Sequence, residues 1–152
     1  MGHGVVEKQV RGPASATGAP ESNVVTLRRY RCRACRAILV VGPRGLVPGR
    51  WYSGGAIAVA LAAYARGETA VAVRRRTSPF AVVGGSARER WMTLVRWMDA
   101  ARAGRLFGVT GLHELARRRA AEYVVLALAA RAGRDLGADL AEAAFEGAAI
   151  AA

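Results

Sequence analysis

The string Tyr30-Arg31-Cys32-Arg33-Ala34-Cys35-Arg36 constrains the fold more than any other segment. It holds both cysteines of the chain and lies between a β-branched run, Asn23–Tyr30, and an apolar one, Ala37–Val41. A Cys-x-x-Cys pair lets one tight turn present two thiolates to a tetrahedral metal, and a structural zinc ion takes four ligands. Gly4–Arg11 alternates valines with polar residues and reads as a further strand. Gly12–Ser22 is a loop rich in Gly, Pro, Ala and Ser, and Gly42-Pro43 stops the last run. The expectation is a small antiparallel β unit with the cysteines at one turn and Gly42–Arg50 as a linker.

Helical spacing begins after this unit. Ser53 reads as an N-cap, with Ile57, Leu61 and Tyr64 on one face and alanines between them. Thr69–Arg76 is a second short helix ending in Arg74-Arg75-Arg76, a placement that also complements the helix dipole. Thr77–Gly85 is a loop. Ser86 and Glu89 form a capping-box pair ahead of a third helix running to about Ala103. Its core stripe is Trp91, Leu94, Val95 and Met98, with Glu89, Thr93 and Arg96 opposite and Arg90 and Trp97 on a flank. Two alanine-rich helices follow, about Leu112–Arg131 and Leu136–Ala149, with Leu115, Val124, Leu128, Leu140 and Phe145 as packing residues. The fold class is therefore mainly α with a small N-terminal antiparallel β unit. Its expected divisions are 1–50, 51–105 and 106–152.

Charge separates these parts. The formal net charge is +12, and every basic residue but Lys8 is arginine. Residues 1–105 hold 18 basic and 5 acidic side chains, whereas residues 106–152 hold 5 and 6. A basic part joined to a neutral one fits a nucleic-acid-binding unit on a scaffold. The longest apolar stretches, Ala56–Ala65 and Tyr123–Ala130, fall well short of the roughly 20 residues of a spanning helix. The first 25 residues have no signal-peptide core. No membrane partner is expected, and cysteines two apart suit a reducing cytoplasm. No carboxylate pair, phosphate loop or nucleophile–base pair is legible, so an enzyme is not expected. His113, beside Glu114, reads as a surface histidine.

Helix, turn, helix, loop, helix over residues 53–103 is the layout of a three-helix DNA-binding unit, whose last helix enters the major groove. Arg74, Arg75, Arg76, Arg88, Arg90 and Arg96 are the expected contacts to double-stranded DNA, with Thr93 as a base or phosphate contact. The competing reading is a solvated arginine face. The cysteine turn, framed by strands and arginines, reads as the second knuckle of a zinc ribbon whose first knuckle is missing. Cys32 and Cys35 are two of four metal ligands, and His3 is the only histidine near them in sequence. Zinc is expected only where another segment or chain completes the set.

Leu27-Arg28-Arg29-Tyr30-Arg31-Cys32-Arg33-Ala34-Cys35 resembles the second half of zinc ribbons at the front of insertion-sequence transposases. The Tyr52-Ser53 helix and Trp91-x-Thr93-Leu94-x-Arg96-Trp97 resemble the helix-turn-helix that follows in those proteins. The whole chain resembles bacterial uncharacterised proteins, found in mobile-element settings, that combine these two parts. The resemblance covers about residues 1–105. It departs at Arg36, where the family often has glycine, and at the absent earlier Cys-x-x-Cys. It implies a non-enzymatic DNA-binding protein related to the recognition region of a transposase, or a transposition accessory. A transposase catalytic protein, or a second copy through the C-terminal helices, is the implied protein partner. Two alternatives are a helical interaction protein or decayed mobile-element remnant, and a transcription regulator. The missing knuckle also raises the expectation that the reading frame begins upstream of Met1 or is truncated. On that reading residues 1–41 are the least stable part.

Overall fold

The computed structural model describes residues 2–81, 83–85, 90–133 and 139–151. An N-terminal antiparallel sheet is followed by helices. Strands β1 (Gly2–Pro13) and β2 (Pro20–Arg31) form a long hairpin, and β3 (Ile38–Val41) adds to the free side of β2. The described helices are α1 (Gly54–Ala65), α2 (Ala70–Thr77), α3 (Met92–Arg102), α4 (Arg117–Arg131) and α5 (Leu140–Ala151).

The hairpin is longer than the sequence indicates. Pairing runs to Pro13↔Pro20, so the loop expected over Gly12–Ser22 shrinks to residues 14–19. Within it the Gly18 N–H donates to the Ser15 carbonyl at 3.2 Å. Prolines are tolerated here because they sit at strand ends, where a missing N–H costs no ladder bond. Little of this sheet is covered: all four residues of β3 are exposed, and Leu27 is the one large side chain of β2 that is buried. The sheet is fastened to the helices at one end. The Arg11 N–H donates to the Trp51 carbonyl at 2.8 Å, and the Ser53 N–H donates to the Arg11 carbonyl at 3.2 Å. Gly12, with φ 114°, lies so close to α1 that an added Cβ would stand 2.1 Å from that of Ala56. Only glycine meets both demands.

Helix α1 is the centre of the molecule. Ser53 caps it, its Oγ accepting the Ala56 N–H at 3.1 Å. The sequence suggests one buried face; instead every residue from Gly54 to Ala63 is buried. An alanine-rich helix has no bulky side to turn outward, so neighbours approach it all round. The segment Gly42–Arg50, expected as a linker, is partly packed as well: Val47 is buried and the Gly45 carbonyl accepts the Gly54 N–H at 2.7 Å.

Thr69 caps α2, which buries Val73 and Thr77. The Thr77 hydroxyl donates back to the Val73 carbonyl at 2.9 Å. Helix α3 buries Leu94, Trp97, Met98 and Ala101, with Trp91 at its N-cap. Trp97 is thus a core residue and not a flanking one, and Val95 is half-buried. The cause is Tyr52, whose ring meets Trp97 edge-on at 5.0 Å and Trp91 at 5.9 Å, while the two indoles meet at 5.1 Å. Such edge-to-face pairs contribute roughly 0.5–1.5 kcal/mol beyond area burial. Ser86, Glu89 and Arg88 lie outside the described residues, as does Leu136.

The fourth helix starts at Arg117, not near Leu112. Leu106, Phe107 and Leu112 instead plug the core from an irregular segment, and the Arg131 guanidinium donates to the Phe107 carbonyl at 2.8 Å. Ala116 offers no side-chain cap, and three arginines crowd the first turn of α4, the wrong end for cations. Each has local relief. Arg117 pairs with Asp99 at 3.0 Å, Arg119 pairs with Glu122, and Arg118 lies 5.1 Å from the Tyr64 ring centroid.

Helices α4 and α5 pack on each other and on α1. At Gly147 an added Cβ would stand 1.8 Å from the Leu128 carbonyl oxygen. Gly147→Ala gains about 1 kcal/mol of helix propensity. Forcing the two backbones apart costs more, so a net loss of roughly 1–3 kcal/mol is expected in urea unfolding. Gly2→Ala, which meets open space, should change stability by less than about 0.5 kcal/mol. A stabilised Gly147→Ala protein would show that the helices are not in this close contact.

Candidate nucleic-acid interface

The expected DNA contacts fall into three groups. Arg74, Arg75 and Arg76 form the last turn of α2. Arg75 is exposed, whereas Arg76 lies 3.4 Å from the Glu68 carboxylate, which Arg66 also approaches at 3.6 Å. Arg76 is therefore partly neutralised. On α3, Arg96 is exposed and Thr93 half-buried, and Arg90 is exposed just ahead of the helix. Asp99 shares this helix, but its carboxylate accepts two hydrogen bonds from Arg117, at 3.0 and 3.4 Å. Arg88 lies outside the described residues. Helix α1, being buried throughout, offers no surface to a phosphate.

A concavity of about 500 Å³ unites part of this set. Arg74 from α2, Arg90 just ahead of α3 and Thr93 in the first turn of α3 line its wall, with Ser78 and Phe80 from the loop after α2. Tyr52 and Trp91 line it too. The sequence reading missed the remaining arginine. Arg11 reaches the same space from β1, far from Arg74 in sequence, because the end of the hairpin is pinned to Trp51 and Ser53. Its guanidinium lies between two exposed rings, 5.0 Å from the Trp51 centroid and 4.7 Å from that of Phe80. The Gln9 amide oxygen accepts from its Nη2 at 2.9 Å and its Nε at 3.2 Å. Arg75 lines a second hollow of about 670 Å³, which shares Arg74, Ser78 and Phe80 with the first. Arg96 lines neither. Among the described residues, no carboxylate lines either space.

Comparison with protein-family models, curated proteins and solved structures finds no match to this chain. The site must be read on its own chemistry. Clustered arginines with hydroxyls and exposed rings suit a polyanion that also carries flat apolar groups.

The cysteine turn stands apart from this surface. The Cys32 N–H donates to the Ala37 carbonyl at 2.8 Å, closing the turn between β2 and β3. Arg36 occupies the left-handed region at φ 63°, which explains why glycine suits this position. Backbone N–H groups of Cys35 and Ala34, and the Cys35 thiol, donate to the Cys32 sulfur and hold its pKa below the usual thiol value. A hollow of about 390 Å³ beside it is lined by His3, Arg31, Cys32, Arg33 and Arg36. Among the described residues, no group of three or more His, Cys, Asp or Glu side chains converges to hold a metal. Two thiolates are half of what structural zinc takes, so this turn alone does not make a zinc site.

Hydrogen bonds to the thiolate favour the charged form, so Cys32 should alkylate faster at neutral pH in the native protein than in urea. The same shift stabilises the fold above the unfolded thiol's pKa, and that contribution fades as pH falls through the lower native value. Iodoacetamide labelling followed by peptide mass spectrometry measures this. Equal native and denatured rates at Cys32 would mean the turn is not formed in solution.

Proposed function

We propose that this chain is a non-enzymatic DNA-binding protein that holds duplex DNA through the arginines around α2 and α3. The observation that carries this reading is the convergence of Arg11, Arg74 and Arg90, from three separate elements, on one concavity lined by no carboxylate among the described residues. A basic concavity of this kind favours a polyanion. Arg75 extends the positive surface along the adjoining hollow. Arg96 and Thr93 lie on α3, the helix we assign to the major groove, where arginine reads guanine through O6 and N7. On this reading α1, being buried, makes no phosphate contact, and α2 supplies the phosphate contacts beside α3. Helices α4 and α5 bury Val124, Val125, Leu128 and several alanines in the core with α1, which suits a scaffold, while Tyr123, Leu126 and Ile150 stay exposed. Taken with the resemblance of residues 27–35 and 91–97 to transposase N-termini, the role we infer is recognition of DNA in a mobile element, as a transposase relative or an accessory.

Each neutralised phosphate contributes about −0.9 to the slope of log K against log salt. Phosphate contacts from Arg74, Arg75 and Arg90 should give a slope of roughly −3 in fluorescence anisotropy. Affinity that stays flat with salt would sink the proposal. Arg75→Ala should weaken all duplexes alike and Arg76→Ala should weaken them less. Arg96→Ala should lose roughly 1–3 kcal/mol on the preferred sequence only. Uniform losses from Arg96→Ala would remove α3 as the reading element.

A further inference from the structure

Duplex binding accounts for the arginines but not for the rings among them. Phe80 and Trp51 are 46% and 57% exposed, and the Arg11 guanidinium lies between them. Phe80 borders both hollows, with Arg74 and Ser78 common to the two. Its backbone N–H donates to the Ser78 hydroxyl at 3.4 Å, and Ser78 is itself buried, so the loop that carries the ring is held. A phosphate contact has no use for an exposed ring. A paired base cannot reach one, because its faces are covered by its neighbours in the stack. An unpaired nucleotide offers both a flat face and an anion, and a concavity of about 500 Å³ lies within the range of about 300–1,000 Å³ typical of small-ligand sites.

We propose that the concavity between β1, α2 and α3 receives one unpaired nucleotide. Its base stacks on Phe80 beside Arg11, and its phosphate is held by Arg74 and Arg90, with Ser78 and Thr93 offering hydroxyls. Aromatic side chains alternating with cations are the means by which proteins hold single strands without reading sequence. Arg11 is prepared for this role. Gln9 accepts two of its five N–H donors, and the two rings fix its plane, so little side-chain freedom remains to be lost on binding. The ligand class follows: duplex DNA bearing a frayed end, gap or overhang is preferred to blunt duplex. This inference rests on the nucleic-acid reading above and adds a partner structure to it.

The test uses the full chain and four probes in anisotropy titrations at one salt concentration. They are a blunt duplex, the same duplex with a four-nucleotide 3′ or 5′ overhang, a longer blunt duplex with equal phosphate number, and an overhang of abasic nucleotides. We expect an overhang of one polarity to bind about 5- to 150-fold tighter than the phosphate-matched blunt duplex, the range that stacking one base supplies. The abasic overhang should lose that gain. Phe80→Ala should lose it too, and Phe80→Trp should keep it. Equal binding of overhang and phosphate-matched duplex would overturn the proposal, as would an abasic overhang that binds as well as the intact one. In both cases the duplex reading would survive. Conversely, tight overhang binding with no affinity for blunt duplex would support the pocket and remove the duplex reading. The abasic probe needs no variant, so the proposal stays falsifiable if Phe80→Ala does not fold.

Discussion

The burial of α1 on every side is the interaction on which the rest of the structure depends. A helix made almost wholly of Gly, Ala, Val, Ile and Leu cannot face water over ten consecutive residues, and each neighbour covers a different side. The hairpin end approaches Ala56 through Gly12, α5 comes within reach of Gly54 and Gly55, and α2 and α4 complete the shell. Small side chains let these backbones come close, and close approach fixes where the surrounding elements end. The arginine surface follows from that geometry. Arg11 meets Arg74 and Arg90 only because β1 and the segment before α1 are hydrogen-bonded to one another on the rim of this core.

The molecule divides its charge by location. Two acids near this surface are paired with arginines: Glu68 faces Arg66 and Arg76, and Asp99 holds Arg117. At the concavity, Arg11 faces the Trp51 and Phe80 rings. Surface ion pairs of this kind contribute little to stability, typically less than about 1 kcal/mol. Their consequence lies in which cations they leave facing outward. Arg75, Arg90 and Arg96 are exposed, whereas Arg76 is half-spent. The cysteine turn is separate, closed by the Cys32 N–H on the Ala37 carbonyl, with two thiols and an arginine where glycine is easier.

Local chemistry was readable from the chain. Ser53 and Thr69 cap the helices that the sequence assigns to them, and the strands around the cysteines pair as their β-branched runs indicate. Tertiary effects were not. Alanine has too little bulk to mark a face, so the total burial of α1 had no periodic signal. Trp97 sits beside Arg96 in a pattern that fits a flank, and only the Tyr52 ring pulls it inward. Leu112 and Leu115 mimic a helical start but pack on the core ahead of the helix, which begins at Arg117. Arg74 and Arg90 were legible by charge as parts of one basic surface, and the structure brings them to one concavity. Arg11 was not, because its place depends on a backbone contact about forty residues distant.

The central claim is that the surface held around α1, from Arg11 through Arg74–Phe80 to Arg90–Arg96, is where nucleic acid meets this protein. Amide chemical-shift mapping during titration with a short DNA duplex tests it most directly. The account predicts that the shifting amides cluster at residues 9–11, 74–81 and 90–96, while α5 and the α4 residues that face it stay still. Shifts confined to β3 or to the outer face of α4, with the arginine concavity silent, would contradict it.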